Sequence, residues 1–284
     1  MSLCIELIRI VRRGVVSISF LFAVQAQILI ADDLTVNFER ILIQGAMVVG
    51  HTNADTLSIG GRDVVVQPNG RFVFGLGRDA APQMSVILSS TVSGEQSLYT
   101  AFEFPVQQRH YDIQKIEGVE SKYVSPPDDV LARINLEAQQ VKAVRRTNSA
   151  LWHYAKPFSW PALGPVSGVY GSQRVFNGVP KRPHYGLDIA GPKGTPVNAP
   201  AAGTVLLVAD MYYSGGTLII DHGHGISSTF IHLNAIHVKE GDQVEQGERI
   251  ADIGASGRVT GPHLDWRLNW FETRLDPQLL LPEQ

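Results

Sequence analysis

Runs of β-branched and aliphatic residues, separated by glycine, dominate the second half of this chain of 284 residues. Such runs are typical of strands, and glycine supplies the backbone freedom that tight turns need. The runs are clearest at residues 203–208, 216–221 and 227–233. Glycines also punctuate the remainder, at Gly241, Gly247, Gly254, Gly257 and Gly261. Together these features predict a largely antiparallel β domain over residues 157–284.

Residues 33–115 show a shorter alternation of β-rich runs and turn residues. Several short strands at this spacing predict a small β-sandwich-like module. Within it, Pro68-Asn69-Gly70 separates two apolar runs and predicts a hairpin, because Asn and Gly tolerate the positive φ of tight turns. The sequence of this region shows no cluster of ionisable residues, so we interpret it as a packing or positioning module.

The pattern between these two regions changes to a helical period. Apolar residues recur there at three- and four-residue steps: Val130, Ile134, Ala138, Val141 and Val144. This spacing predicts a linking helix within residues 126–150 and completes a mainly β fold class. Its basic tail contains Lys142, Arg145 and Arg146, which we interpret as a solvated face because cations are favoured near the carboxyl end of a helix.

Residues 1–26 have the order of a secretory signal peptide: basic residues, an apolar run over 14–24, and small residues ending at Ala26. We therefore expect cleavage after Ala26 and a periplasmic or secreted location. The alternative is a retained membrane anchor, because the apolar stretch 14–31 is close to the shortest length that spans a bilayer.

Composition excludes several classes of protein. Hydrophobic residues make up 44% of the chain and charged residues 18%, which excludes a largely disordered chain. The formal net charge of -3 argues against a nucleic-acid partner, because such proteins usually carry a basic excess. The single cysteine, Cys4, lies in the predicted leader, so no internal disulfide is expected. Membrane contact is expected only through an uncleaved leader.

Two short arrangements have the spacing of a metal site. His184 and Asp188 are four residues apart and His263 and Asp265 are two apart, so in an extended strand each pair projects from one face. Imidazole nitrogen and carboxylate oxygen are ligands of catalytic zinc, which takes three protein groups and one water. Either pair alone is a weak pattern.

The segments around these pairs, taken in order, resemble the lysostaphin/LytM-type zinc metallopeptidases over residues 160–277. The segments that carry the resemblance are 182–190, 194–203, 220–225, 230–233, 241–247 and 260–263. Members of that family are typically exported bacterial enzymes that hydrolyse peptide crosslinks of peptidoglycan. The resemblance therefore implies an exported zinc metalloendopeptidase with an antiparallel sheet, and the predicted leader agrees with it independently.

Carried onto this sequence, the resemblance implies that His184 and Asp188 are zinc ligands and that His232 and His263 are the catalytic histidines. One histidine would accept the proton of the attacking water and the other would stabilise the oxyanion, and the assignment between them stays open. Arg174 and Asn177 precede the first zinc motif. They are candidate substrate-binding residues, with a structural loop role as the alternative.

The last motif departs from the family pattern, which is His-x-His with the second histidine as the third zinc ligand. Asp265 stands at that position here. We predict that Asp265 is a ligand, because carboxylate oxygen also binds zinc. Two alternatives are that Asp265 only supports another ligand, or that the domain has lost zinc and binds the wall or activates another hydrolase. His222, which the family often matches, is expected in a turn or beside the site.

Overall fold

The computed structural model describes residues 33–92, 96–116, 130–176, 179–180 and 182–283. The predicted leader, residues 1–26, lies outside the described residues. No helix in the described ranges is both long and apolar enough to cross a membrane. The architecture is mostly β, which confirms the predicted fold class.

The described residues form two compact units whose segments interleave along the chain. One unit comprises the residues up to Ile41, Val49–Val73 and Ala81–Val106. The other comprises Leu42–Val48, Phe74–Ala80 and the residues from Gln107 onward. Two short segments that lie within the predicted amino-terminal module therefore cluster with the carboxyl-terminal unit.

Two sheets use the strands of the amino-terminal third. The strands are β1 (Val36–Phe38), β2 (Met47–Thr52), β3 (Thr56–Ile59), β4 (Arg62–Val64), β5 (Arg71–Gly75), β6 (Gln83–Val92) and β7 (Gln96–Pro105). The first sheet has the order β1-β2-β5 and the second the order β4-β3-β6-β7. In the first of the two units, buried aliphatic and aromatic residues such as Leu57, Phe72 and Leu88 form the core.

The hairpin predicted at Pro68-Asn69-Gly70 is wrong, although its turn forms. Gly70 has a positive φ of 82°, and its amide donates to the Gln67 carbonyl at 2.8 Å. The flanking strands nevertheless join different sheets, since β4 pairs with β3 and β5 pairs with β2. The turn carries the chain from one sheet to the other, and this choice of partner strand depends on contacts distant in sequence.

The carboxyl-terminal unit contains the remaining elements. They are β8 (Ile113–Ile116), α1 (Leu131–Val144), β9 (Val166–Gly168), β10 (Gln173–Phe176), β11 (Val179–Pro180), β12 (Leu187–Ala190), β13 (Pro196–Asn198), β14 (Gly203–Met211), β15 (Gly215–Gly223), β16 (Ile226–Ile236), β17 (Gln243–Val244), β18 (Arg249–Ile253), β19 (His263–Trp270) and β20 (Thr273–Leu275). Two short 3₁₀ helices span His153–Ala155 and Pro277–Leu280.

The central sheet has the order β17-β14-β15-β16-β19-β12-β9. Strand β18 joins it through β16 and also pairs with β13, and β20 pairs with β19. The consecutive pairs β14-β15, β15-β16 and β16-β19 are all antiparallel. Strand β8 lies outside this sheet, in parallel pairing with β10, which also pairs with β11.

Alternation along the central strands separates two faces of this sheet. One face, called the core face below, carries fully buried apolar residues in register: Leu187, Leu218, Phe230 and Trp266. The opposite face, called the site face, places Asp188, Asp265 and Ile231 in one cross-strand row. The next row holds Arg267 and Thr229. Because successive side chains of a strand point to opposite faces, the apolar half of each strand anchors the polar half.

Helix α1 lies within the range in which the linking helix is predicted. Its Val141 and Val144 pack against a buried cluster of Leu207, Met211 and Ile219 on β14 and β15. The interpretation of its basic tail as a solvated face is wrong for Arg145, which is only 8% exposed. The helix end packs on the sheet and places this side chain against Thr229 of β16. The position of Arg145 near a helix end does not predict this contact, because the contact depends on the sheet.

Candidate metal centre

Three side chains that were predicted as metal ligands converge on the site face. Strand pairing places Asp188 of β12 directly opposite Asp265 of β19. His184 precedes β12, and its backbone is held by two 2.8 Å hydrogen bonds, to Gly171 and to Ser172. One ligand atom each from His184, Asp188 and Asp265 lies within 4.8 Å of the others. This spacing fits three groups that share one ion.

His184 and Asp188 present buried atoms that have no hydrogen-bond partner. Nε2 of His184 lies 3.2 Å from Oδ1 of Asp188, and both atoms lack a hydrogen bond. Buried polar groups are nearly always paired, so two such atoms side by side indicate a missing partner. A cation bound by an imidazole nitrogen and a carboxylate oxygen satisfies both, and the residues present therefore fit zinc.

Asp265 differs from these two residues because a guanidinium already holds it. Arg267 Nε donates to Oδ1 at 2.9 Å and Nη2 donates to Oδ2 at 2.6 Å. The carboxylate is buried, whereas the Arg267 side chain is 28% exposed. Each carboxylate oxygen has two lone pairs, so a bidentate arginine leaves acceptor capacity for a metal.

Two glycines make room for the carboxylates. A Cβ at Gly168 would lie 2.3 Å from Oδ2 of Asp188, and a Cβ at Gly186 would lie 2.1 Å from Oδ1 of Asp265. Any larger residue at either position would displace the carboxylate. The close approach of the backbone therefore explains why glycine is needed at both places.

His232 and His263 lie together beside this centre, with ring centroids 4.9 Å apart. Nδ1 of His232 donates to the Ser256 carbonyl at 2.9 Å, and Nδ1 of His263 donates to the Gly261 carbonyl at 2.9 Å. A carbonyl only accepts, so both rings carry their hydrogen on Nδ1 when neutral and leave Nε2 as an acceptor. His232 also adopts a positive φ of 66°, which is unusual for a residue other than glycine.

Burial and charge shift the pKa values of the centre in opposite directions. Burial lowers the pKa of His232. Burial also acts to lower the pKa of His184, but Asp188 and Asp265 outweigh it, so that this pKa is raised. Burial raises the pKa of Asp265, but the Arg267 guanidinium more than offsets this and lowers it. The Arg267 guanidinium thus favours the charged form of the Asp265 carboxylate, as a cation site requires.

A family match covers the part of the chain that contains His184, Asp188, His232, His263 and Asp265. Residues 182–277 match peptidase family M23. This confirms the resemblance expected from the sequence. We call residues 182–277 the M23 segment below.

Two curated relatives are similar to part of this chain. The peptidoglycan DD-endopeptidase ShyA of Vibrio cholerae is 42% identical over 117 residues, which cover 41% of this chain and 25% of that protein. An uncharacterized metalloprotease of Haemophilus influenzae is 44% identical over 91 residues, covering 31% of this chain and 19% of that protein. The chain thus spans about a quarter or less of the length of these relatives.

One solved structure is similar over most of both chains. It is a crystal structure from Pseudomonas aeruginosa, described as a candidate peptidase M23, with a TM-score of 0.64 and 28% identity. The alignment covers 85% of this chain and 95% of that one. The shared fold therefore extends beyond the M23 segment.

The remaining residues predicted from the sequence have different outcomes. Asn177 lies outside the described residues, and the side chain of Arg174 is also outside them, although its backbone is part of β10. His222 is fully buried on the core face, where Nδ1 contacts the Ala202 carbonyl and Nε2 contacts Ser228 Oγ, both at 2.8 Å. It is therefore a packed core residue of β15, not a turn residue or a neighbour of the site.

Sequence reasoning missed two residues that position the centre. Arg267 follows Asp265 by two residues, and this spacing of opposite charges on one strand face could have revealed the pair. Ser256 offers no such signal. Its carbonyl holds His232, while its hydroxyl donates to the Leu233 carbonyl and accepts from the Gly216 amide. Only the folded loop brings these groups together.

Proposed function

We propose that this protein is an exported zinc metalloendopeptidase that hydrolyses peptide crosslinks of bacterial peptidoglycan. The observation that carries the proposal is the convergence of His184, Asp188 and Asp265 beside His232 and His263. The M23 segment and the printed name of the Vibrio cholerae relative support the reaction and the substrate class. The order of residues 1–26 supports export.

His184, Asp188 and Asp265 would hold the zinc ion. A bound zinc supplies Lewis acidity, which polarises the scissile carbonyl and makes water a better nucleophile near neutral pH. Arg267 fixes the orientation of Asp265 through two hydrogen bonds. Gly168 and Gly186 leave the space that the carboxylates occupy.

The two histidines would handle the protons of the reaction. We assign the general base to His232, because it is buried and its Nδ1–H is fixed on Ser256, which leaves Nε2 to accept a proton from water. His263 is more exposed than His232 and would donate a hydrogen bond or a proton toward the carbonyl oxygen. Arg174 and Asn177 stay candidates for contacts with the substrate.

One observation favours a second function, in which the domain binds the wall or activates another hydrolase without cutting. Both oxygens of Asp265 already accept from Arg267, so the third ligand is neutralised before any metal arrives. Under this alternative the buried ion pair would be purely structural. The two functions differ in whether the purified protein holds zinc and cuts crosslinks by itself.

Digestion of intact sacculi separates the two functions. We expect the purified zinc-loaded protein to release peptides from crosslinked sacculi, with products identified by mass spectrometry as cut at peptide bonds. The Asp265→Ala variant should release none and should lose zinc, whereas Asp210→Asn, at an exposed carboxylate of the same sheet, should behave like the wild type.

Two results would contradict the proposal. Cleavage of glycan bonds instead of peptide bonds would assign another reaction. A wild-type protein that contains no zinc and cuts nothing, but increases release by a separate wall hydrolase, would establish the second function.

A further inference from the structure

Arg145 is a buried cation that has no anionic partner in the part of the chain that the structure describes. It follows α1 directly and is 8% exposed. Its Nη2 donates to Thr229 Oγ1 at 3.1 Å, and its Nε has no hydrogen-bond partner. Among the residues that the structure describes, no carboxylate forms an ion pair with it. An unpaired buried charge is costly, so this arrangement requires an explanation.

A second arginine, Arg274, lies near Arg145 and also lacks a carboxylate partner among the described residues. Arg274 Nη1 donates to Asn269 Oδ1 at 3.1 Å, and no ion pair joins it to another described residue. Burial and the positive charges of Arg274 and Arg267 lower the pKa of Arg145, and burial together with Arg267 lowers the pKa of Arg274 to about 10. Arg267 itself already forms an ion pair with Asp265.

The nearby carboxylate of Glu272 offsets only part of this positive charge. Glu272 is exposed, and its Oε1 lies 3.6 Å from Lys142 Nζ and 3.7 Å from Arg146 Nε. It therefore faces the outer side of the helix end. Arg145, at the carboxyl end of α1, and the nearby Arg274 keep an excess of positive charge.

Ser227 provides a separate sign of a missing ligand at the same place. It lies opposite Asn269 in the row next to Thr229 and Arg267, on the site face. Its hydroxyl is buried and has no hydrogen-bond partner. Two buried donors without partners, Arg145 Nε and Ser227 Oγ, thus lie against the same face of β16, because Arg145 bonds to Thr229 of that strand. Donors of this kind, without an acceptor, point to an anionic ligand.

We propose that Arg145, Arg274 and Ser227 form a subsite that binds a carboxylate of the peptide substrate. This inference rests on the proposed function, because it places the substrate on the site face beside the metal centre. We define these three residues as the carboxylate subsite.

The sheet register sets the distance from the metal centre to the subsite. Arg267 lies one row beyond Asp265 and Asn269 lies two rows beyond, which is about 7 Å and about 13 Å at the usual rise of a strand. An extended peptide rises by about the same amount per residue. The bound carboxylate would therefore lie two to four residues from the scissile bond.

A peptide carboxylate fits this surface better than a free inorganic anion. The subsite continues the row of polar groups that begins at the metal centre, and an extended chain would follow those rows. The ends of peptide crosslinks carry free carboxylates, and arginine binds such groups in a bidentate manner. Arg267, which lies between Asp265 and the subsite in the sheet register, keeps 28% of its side chain exposed.

Calorimetry with a matched pair of peptides tests the subsite. The probes are a synthetic crosslinked peptide dimer with free terminal carboxylates and the same dimer with carboxamides. For the zinc-loaded wild type we expect about tenfold tighter binding of the carboxylate form, the size expected of a charged hydrogen-bonded pair. In Arg145→Met and Arg274→Met the ratio of the two affinities should fall to about one.

The ratio within each variant is insensitive to the amount of folded protein, so a partly unfolded variant does not mimic the result. Arg146→Met is the matched control, because Arg146 adjoins Arg145 but its side chain is 67% exposed, and its ratio should stay at the wild-type value. Zinc content should be the same in all four proteins. A purely structural Arg145 would change the melting temperature and leave the ratio intact.

Three outcomes would overturn the subsite: equal binding of both peptides by the wild type, an unchanged ratio in Arg145→Met, or inorganic phosphate that binds as tightly as the peptide and depends on Arg145. Cleavage of the dimer is measured in parallel. Preferential binding without cleavage would refute the endopeptidase and keep the subsite, whereas cleavage without preference would do the reverse.

Discussion

The two faces of the central sheet treat buried polar groups in opposite ways. On the core face, both ring nitrogens of His222 have partners, and Trp266 Nε1 donates to Ser228. On or against the site face, four buried polar atoms have none. They belong to Arg145, His184, Asp188 and Ser227. Among the described residues, only Tyr111 has a further atom of this kind.

This difference indicates which polar groups stabilise the fold and which do not. Polar groups on the core face contribute to packing, because each is satisfied within the protein. The four unpaired polar atoms on or against the site face have a cost in stability, which a bound ligand would offset. Substitutions on the two faces should therefore have different consequences, and the predictions below use this contrast.

The largest effect is expected from His184→Ala on the site face. Removal of a ligand should abolish zinc binding and reduce peptide cleavage by more than about 1,000-fold, because both polarisation of the carbonyl and activation of water depend on the ion. The melting temperature of the metal-free protein should stay close to that of the wild type, because His184 Nε2 makes no hydrogen bond there. Metal analysis and calorimetry measure both effects. Retained zinc would show that His184 is not a ligand.

His222 on the core face should show the reverse behaviour. Burial lowers its pKa to about 4, whereas the unfolded chain protonates this ring near pH 6.5. The unfolded state thus binds the extra proton between these values, and stability is lost as the pH falls through that window. The loss attributable to His222 is about 3 kcal/mol by pH 4.

Urea unfolding of the wild type and His222→Gln at pH 7 and pH 4 measures this loss. The variant should be less stable at pH 7 and show a smaller drop on acidification, while its zinc content stays unchanged. An equal drop in both proteins, or loss of zinc from His222→Gln, would contradict the separation of the two faces.

Asp265 and Arg267 are an exception on the site face, because this charged pair is satisfied by hydrogen bonds within the protein. The pair therefore tests whether charge balance at the centre affects zinc binding. With neutral His184, the two carboxylates and Arg267 give the centre a formal charge of -1. Asp265→His alone would raise this sum to zero and leave Arg267 unpaired beside the metal. We expect zinc affinity to fall about 10- to 100-fold in that variant.

The double variant Asp265→His/Arg267→Gln restores the charge and should recover most of the zinc affinity. Competition with a chelator measures the zinc affinity of the wild type, of Asp265→His, of Arg267→Gln and of the double variant. Zinc affinity of Asp265→His equal to that of the double variant would show that Arg267 has no electrostatic role at the centre.

A smaller effect is expected from Gly186→Ala, because the added Cβ would displace Oδ1 of Asp265. Zinc affinity should fall about tenfold, in the range typical for changes that disturb the support of a ligand. Gly77→Ala is the matched control, because a Cβ there meets only Thr273 at 3.5 Å. Wild-type affinity in Gly186→Ala would exclude Asp265 as a ligand.

The sequence predicted the parts of the fold and site that depend on local periodicity. Alternation over residues 263–270 is sufficient to place Leu264 and Trp266 on one face and His263 and Asp265 on the other. The turn at Asn69-Gly70 was also predictable from residue types. Its strands were not, because the sheet that each strand joins depends on distant partners.

Arg145 shows most clearly what local patterns do not contain. At the end of a helix, an arginine is usually solvated, and only the docking of Val141 and Val144 on β14 and β15 presses its neighbour against Thr229. The ion pair between Arg267 and Asp265 was partly predictable from the sequence. Its spacing was visible in the sequence, but its bidentate geometry needed the folded strand.

Anomalous diffraction at the zinc absorption edge, from crystals of the wild type grown with zinc, tests the account most directly. We predict one strong peak within bonding distance of His184 Nε2, Asp188 and Asp265, with Arg267 still bound to the Asp265 carboxylate. A peak absent from this position, or one ligated by His184 and Asp188 while Asp265 stays turned to Arg267 alone, would contradict the account.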